Sequence, residues 1–263
     1  MDHARVNVSM SSITRRHFLK IGALAAPAAL GIDGRLIEPT ALRVRQMQLK
    51  RTGNCQFIHF TDFHHKGDAK CATELVRTIN ALRPDFVCFT GDIVEQRQFA
   101  DDALRFIRQI QAPVYGCPGN HEYSSGISFR DCEATFAATG GAWLMDKNLV
   151  VPRYDLEIVG MGIVGLKDVP PLPASRRLLL MHYPLVADHL GKRKFDLILA
   201  GHSHGGQVRV PFWGAVILPG GVGKYDLGYY QTAGGPLHVS AGVGTCFLPI
   251  RLNCPPEITL ITI

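Results

Sequence analysis

Asp85-Phe-Val-Cys-Phe-Thr-Gly-Asp92 is a short apolar run that stops at a Thr-Gly-Asp turn. Its length, its β-forming residues and its bounding Pro84 and Gly91 predict a buried strand over residues 85–90. A carboxylate just past the end of such a strand stands where parallel-sheet enzymes gather their chemistry. The pattern recurs on both sides, in Cys55-Gln-Phe-Ile-His-Phe-Thr-Asp62-Phe-His64 and in Pro113-Val-Tyr-Gly-Cys-Pro-Gly-Asn120-His121-Glu122. Between these runs, residues 70–82 and 99–110 carry apolar residues at helical spacing, Leu104 and Ile107 among them. Strand, helix, strand, helix, strand with short connections predicts parallel strands with helices packed outside, the α/β class.

Outward from this centre, residues 39–50, with Leu42, Val44 and Leu49, read as an opening edge strand. Residues 129–139 read as a helix stopped by Gly140-Gly141, and residues 149–151, 156–162, 178–181 and 197–200 as strands of a second half. The last two of these deliver Met181-His182 and Gly201-His202-Ser203-His204. Beyond residue 206 the chain alternates Gly-rich and Pro-rich turns with short strands and closes on residues 257–263. With 263 residues, 46% of them hydrophobic, the chain suits one large α/β domain, taken as residues 38–263.

Five ordered motifs therefore end on oxygen or imidazole donors: Asp62 and His64, Asp92, Asn120 and His121, His182, then His202 and His204. Hydrolysing a phosphate ester is slow because the anion repels water and the leaving oxygen must carry charge away. Two cations about 3.5–4 Å apart answer both problems, and such a pair needs one carboxylate able to bridge. Asp92 is the natural bridge, since Gly91 before it lets the backbone turn close to the metals. The mixed Asp, Asn and His set favours two divalent transition-metal ions, manganese first and iron, zinc or nickel as alternatives, over calcium or magnesium. None of the seven cysteines forms a C-x-x-C pair, which argues against a structural thiolate zinc site. Cys88 reads as a core residue, and export would open the way to disulfides that spacing does not assign.

Over residues 55–263 the chain resembles the calcineurin-like metallophosphoesterases, whose order D-x-H, G-D, G-N-H-[DE], H, G-H-x-H is complete here. That resemblance implies a four-layer α/β/β/α sandwich. It implies one metal on Asp62, His64, Asp92 and His204 and the other on Asp92, Asn120, His182 and His202. It also implies attack by a metal-bridging hydroxide on a phosphodiester or pyrophosphate, with His121 facing the phosphate as general acid. Val94 and Glu95 stand where purple acid phosphatases carry their tyrosine region, and Gln96 interrupts the G-D-x-V-D-R-G of the serine/threonine phosphatases. Glu95 falls where that second family pairs an acid with its catalytic histidine, so it is expected to orient His121. The stretches 201–211, 242–244 and 250–255 are similar to the bacterial YaeI-like branch. Relatives there include phosphodiesterases and enzymes cleaving UDP-2,3-diacylglucosamine in lipid A synthesis, which implies a phosphoester, sugar-nucleotide or lipid-linked substrate. A non-catalytic binding scaffold on the same fold typically loses ligands, and this chain keeps all of them.

The formal net charge of +6 does not point to nucleic acid. Residues 1–51 hold nine Lys or Arg against Asp2, Asp33 and Glu38, while the other 212 residues balance at 19 of each sign. A duplex binder would display its positive charge on the folded body. A neutral body with a basic leader points to targeting or a membrane surface. Thr14-Arg15-Arg16-His17-Phe18-Leu19-Lys20 followed by the apolar residues 21–32 resembles a twin-arginine export signal. Residues 1–37 are thus read as a leader, removed or kept as a tether, handled by the twin-arginine translocase and placing the enzyme in the periplasm or cell envelope. The apolar run is shorter than the roughly 20 residues a spanning helix needs. His59, His189 and His238 read as surface or satisfied core residues, while His65 stays open between a phosphate contact and solvent. Arg209 and Arg251 are candidate phosphate contacts, each more simply a solvated arginine. Residues 211–218 with Tyr229-Tyr230 read first as a hairpin packed on the second sheet, and otherwise as an acyl or nucleobase pocket or a peripheral contact with the bilayer.

Overall fold

The apolar runs pair into two sheets that face each other. The computed structural model describes residues 33–49, 54–165 and 169–263, so the Arg15-Arg16 motif and its apolar run lie outside the described residues. In chain order the first half contributes β1 (Arg43–Gln48), β2 (Gln56–Phe60), α1 (Ala69–Leu82), β3 (Phe86–Phe89), α2 (Ala100–Ile107), β4 (Val114–Gly116), α3 (Asn120–Ser124), α4 (Phe129–Ala138) and β5 (Ala142–Trp143). The second half contributes β6 (Lys147–Val151), β7 (Leu156–Gly160), β8 (Arg176–Leu180) and β9 (Leu197–Ala200). A hairpin of β10 (Arg209–Val210) and β11 (Gly214–Ala215) follows, then β12 (Gly228–Thr232), β13 (Gly235–Val239) and β14 (Glu257–Thr262).

The first sheet runs β1-β14-β2-β3-β4-β5 and the second β12-β13-β9-β8-β7-β6, while β10 and β11 pair only with each other. β2, β3, β4 and β5 are mutually parallel, as are β7, β8, β9 and β13. Parallel neighbours put their carboxyl ends on one edge, so the segments after β2, β3, β4, β8 and β9 all emerge together. β1 is the expected edge strand, and its exposed Arg43 and Arg45 blunt an otherwise sticky edge.

Alternation along the strands sorts side chains into three cores. Ile58, Phe60, Val87, Phe89 and Val114 pack against the helices, where α1 buries Ala72, Leu75, Val76 and Ile79. The opposite face of the same strands supplies Phe57, Phe86, Cys88 and Tyr115, which meet Ile158, Leu178, Leu180 and Leu199 between the sheets. Phe57 and Phe86 stack at 4.7 Å there, and each such fully buried side chain contributes about 1.5–3 kcal/mol. Leu179, Ile198, Leu237 and Val239 face outward from the second sheet, where Ala187 and Tyr225 cover them. Four layers result. The fourth consists of the 3-10 turn Pro184–His189 and its flanking loops, with Pro184 fixing its start and Gly191, at φ 63°, just past its end.

One polar pair crosses the dry space between the sheets. His59 on β2 and His238 on β13 are both buried and meet Nδ1 to Nδ1 at 3.1 Å, with His59 Nε2 2.9 Å from Thr90 Oγ1 and His238 Nε2 3.4 Å from Thr259 Oγ1. Each imidazole thus has a partner at both nitrogens, which is the satisfied-core outcome; His189 is exposed. All seven cysteines are free, and Cys88 is a fully buried core residue.

The expected elements appear with ends shifted by a few residues, and two were not expected. α3 is five residues and β5 two, too short for a periodicity to be read. The helix expected over residues 99–110 is a 3-10 turn Arg97–Phe99 followed by α2.

Candidate metal centre

Each expected donor follows a strand, and the backbone there is bent into unusual shapes. Asp62, His64, Asp92, His202 and His204 all adopt positive φ, between 42° and 66°. Side chains other than glycine avoid that region at a cost of about 1–3 kcal/mol each, and such residues cluster at functional sites. Close backbone approach is the second device. A Cβ on Gly91, whose φ is +96°, would lie 2.3 Å from Gly119 N, and one on Gly119 would lie 2.2 Å from Asp92 Oδ1. The two loops therefore touch back to back only as glycines.

Glu122 fixes that junction. Its buried carboxylate accepts from the backbone N–H of Asp92 at 2.9 Å, Ile93 at 2.6 Å and Gly119 at 2.5 Å. Burial and the neighbouring Asp92 charge push its carboxyl up to about 6 against the pull of those three donors. The G-N-H-E motif contained Glu122 without disclosing this role, which depends on Asp92 folding back over it.

The donors converge. Asp92 Oδ2 lies 3.3 Å from His64 Nε2 and 3.2 Å from His182 Nε2. Asp62 Oδ1 lies 3.9 Å from His64 Nε2 and 3.4 Å from His204 Nε2. Asn120 Oδ1 is 3.1 Å from His182 Nε2, and His202 Nδ1 is 3.2 Å from the same atom. Asp92 thus belongs to two groups of donors close enough to share an ion, with His64 and His121 on one side and with His182 and His202 on the other.

Ring orientation supports metal ligation. His182 Nδ1 faces Thr90 O at 2.7 Å and His202 Nε2 faces Gly220 O at 2.7 Å. A carbonyl only accepts, so those nitrogens carry protons and the opposite nitrogens are turned inward toward the other donors, the usual outer support of a ligating histidine. His64 Nε2 and His204 Nε2 approach to 3.2 Å, while their buried Nδ1 atoms have no hydrogen-bond partner. Lone pairs and carboxylates turned toward one another in a buried space are unfavourable by themselves and are reconciled by cations. The donor set fits the group the sequence implies.

Electrostatics among the donors themselves follow from burial and crowding. Burial and Asp92 push the Asp62 carboxyl up, against His182 and His64. Burial opposes ionisation of Asp92 as well, yet His182 and His64 hold it well below the carboxylate range. Burial works against a proton on His182, but the Asp92 and Asp62 carboxylates raise it to about 9. Burial, with His182 close by, pushes His202 down to about 4. Burial and then His64 keep His204 well below the usual imidazole value.

His121 is half-buried at the start of α3, with its backbone N–H donating to Asp92 Oδ1 at 2.8 Å and its ring edge-on to His64 at 4.7 Å. Burial lowers its imidazole, with Asp92 pulling the other way. Its Nδ1 is buried without a hydrogen-bond partner, so the expectation that Glu95 orients it is corrected. Glu95 instead lies 3.1 Å from Lys66 Nζ and 3.8 Å from His64 Nδ1, because its loop leans toward Lys66 and Cys246.

Three further expectations change. His65 is not solvated: it is buried, with Nε2 2.6 Å from Asp102. Arg251 is 0% exposed and donates to Ala241 O at 2.8 Å, Cys254 O at 2.9 Å and Gly244 O. It pins the loop whose Gly244 N–H donates to Asp62 O, a role visible only once that loop has folded. Arg209 pairs with Asp226 at 2.9 Å. Cys246, not singled out in the sequence, lies close enough to His64 and His204 to share an ion with them.

The donors form one wall of a cavity of about 400 Å³, with Asp92, Asn120, His121 and His202 on that side. Val216, Ile217, Pro219, Phe247, Leu248 and Ile250 form the apolar side. The hairpin expected to pack on the second sheet does not: β10 and β11 join neither sheet, and its apolar residues point outward.

Comparison with known proteins bears on the family and the fold. Residues 55–206 match the calcineurin-like phosphoesterase family. The chain is 28% identical to the metallophosphoesterase YkuE of Bacillus subtilis (strain 168) over 97% of this chain and 99% of that one. It is 31% identical to the phosphodiesterase YaeI of Escherichia coli (strain K12) over 68% of this chain and 70% of that one. It is 23% identical to the UDP-2,3-diacylglucosamine pyrophosphatase LpxG of Chlamydia trachomatis over 72% of this chain and 77% of that one. Among solved structures, the protein TT1561 of Thermus thermophilus has the same fold at a TM-score of 0.50 and 9% identity, covering 73% of this chain and 91% of that one.

Proposed function

The chain belongs to the calcineurin-like phosphoesterase family, and from that premise we propose that it is a two-metal hydrolase of phosphodiester or pyrophosphate bonds. The observation that carries the two-metal reading is Asp92, shared between two groups of donors. Asp62, His64, Asp92 and His204 would hold one ion and Asp92, Asn120, His182 and His202 the other. Bound there, two divalent ions neutralise phosphoryl oxygens and lower the pKa of water. Manganese is the first choice, with iron, zinc and nickel suited to the same donors.

The chain's own residues do the rest. Thr90 O and Gly220 O hold the outer nitrogens of His182 and His202 and so aim the inward ones at the ions, Glu122 keeps the Asp92 turn rigid, and His121 stands on the cavity side to protonate the leaving oxygen. Asp92→Asn or His202→Ala is expected to remove metal, read by elemental analysis, together with turnover of bis-p-nitrophenyl phosphate in added Mn. Full activity with full metal in either variant overturns the reading.

A second substrate reading is favoured by the apolar cavity wall, which suits a molecule with an apolar part such as the one in the name of the Chlamydia relative. Comparing UDP-2,3-diacylglucosamine with bis-p-nitrophenyl phosphate separates the two. Export by the twin-arginine pathway is proposed from Thr14 to Lys20 alone, and mass spectrometry of the mature N-terminus tests it.

A further inference from the structure

Large apolar side chains stand exposed at eleven positions among the described residues, and seven of the eleven lie on the β10-β11 hairpin and the 246–252 loop. Phe212 and Trp213 form the hairpin tip, Trp213 being 86% exposed, and Phe247 and Leu248 form the loop tip. The two tips are one surface. Arg209 N donates to Leu252 O at 2.9 Å, Leu252 N to Gln207 O at 2.8 Å, and Gln207 Nε2 to Cys246 O at 2.9 Å. The same surface rims the cavity of the metal centre, since Ile217, Phe247 and Leu248 are both exposed and part of its wall.

The path of the chain says what covers this surface. Arg251, three residues beyond Leu248, donates its backbone N–H to Gly34 O at 2.7 Å. The apolar residues 21–32, preceded by Arg15, Arg16 and Lys20, therefore join the described structure beside the exposed tips. Arg35, exposed next to Gly34, adds positive charge at that point. An aromatic tip and an exposed arginine, at the place where an apolar and basic stretch of sequence joins the fold, are the chemistry of the interface between hydrocarbon and anionic headgroups.

We propose that this face docks on an anionic lipid bilayer and that the cavity draws an amphiphilic phosphoester from it. The docking stands on geometry alone; the substrate class rests on the phosphoester hydrolysis proposed above. Trp213 is a ready reporter, because the only other tryptophan, Trp143, is buried. The full chain carrying Trp143→Phe is mixed with vesicles of phosphatidylethanolamine and phosphatidylglycerol, with and without bromine in the acyl chains. The same signal is obtained from the unaltered chain by subtracting a Trp213→Phe variant, so folding of the first variant does not decide the result. Docking is expected to shift Trp213 emission to the blue, to quench it with brominated lipid and to shield it from acrylamide. Vesicle-bound protein whose Trp213 remains open to acrylamide overturns the proposal, because residues 21–32 alone would then hold it. A blue shift that follows protein concentration without vesicles also overturns it, in favour of a second copy. Phe212→Ser, which keeps the Trp213 reporter, is expected to weaken the lipid signal while hydrolysis of soluble bis-p-nitrophenyl phosphate stays unchanged. Absence of that hydrolysis in the parent chain defeats the enzymatic reading and leaves the Trp213 result standing.

Discussion

Asp62, His64, Asp92, His202 and His204 hold positive φ because each must turn its side chain back across the strand edge within one or two residues. At about 1–3 kcal/mol apiece this strain persists only where neighbours over-determine it. Here Glu122 and the contact of Gly91 with Gly119 do so. The donors were legible in the sequence because their residue types and order are constrained by chemistry. Their supports were not, since Thr90 O and Gly220 O are backbone carbonyls with no side-chain signature. Arg251 shows the same limit, as nothing local distinguishes a buried arginine from a solvated one. His121 carries the testable role at this scale. A general acid matters in proportion to how poorly the leaving group bears charge, and contributes about 10²–10⁴-fold where it is needed. His121→Ala is expected to lower kcat by about that factor for an alkyl phosphodiester and far less for a p-nitrophenyl one. Equal losses on both, measured with full metal, would show that His121 only binds or positions substrate.

At the scale of elements, strands buried on both faces announce themselves as continuous apolar runs, which is why β2, β3 and β9 were legible. α3 and β5 are too short to carry a period. The hairpin misled because apolar composition does not say whether a partner exists. His59 and His238 are 179 positions apart, and only the packing of β2 over β13 makes them a pair. Burial, with a contribution from Arg45, pushes His238 down to about 4, and burial with His238 beside it keeps His59 well below the usual value. A folded value below the unfolded one, near 6.5, means that the unfolded chain binds protons first as pH falls. The stability contributed by neutral His238 is therefore whole above pH 6.5 and lost between there and about pH 4, a change of about 3 kcal/mol. His238→Gln is expected to flatten the fall in unfolding free energy by about 1.4 kcal/mol per pH unit in that window. Denaturant titrations of both proteins in EDTA measure this, and parallel slopes would show that the pair does not remain neutral in the folded state.

For the molecule as a whole, the centre lies where the carboxyl ends of both parallel sets meet, drawing on segments from Asp62 to His204. No element holds the donors alone, so a ligand bound there ties the two sheets together. The same donors oppose one another when empty: Asp62 and Asp92 crowd two buried carboxyls, and His64 and His204 turn their Nε2 atoms together at 3.2 Å. Metal is thus expected to be a folding partner as well as a reagent. An ion bound to the native state alone stabilises it by RT ln(1 + [L]/Kd), about 2.7 kcal/mol at a hundred times Kd. Two sites together give about 5 kcal/mol, which in a chain of this size is about 10–20 °C in Tm. Removing metal with EDTA should lower Tm by that order, and restoring Mn should recover it. Asp92→Asn, which removes the shared carboxylate, is expected to abolish the Mn-dependent rise in a calorimetric scan while folding in EDTA. If Asp92→Asn still gained the full shift, the two donor groups would be independent of Asp92 and the bridge would be refuted.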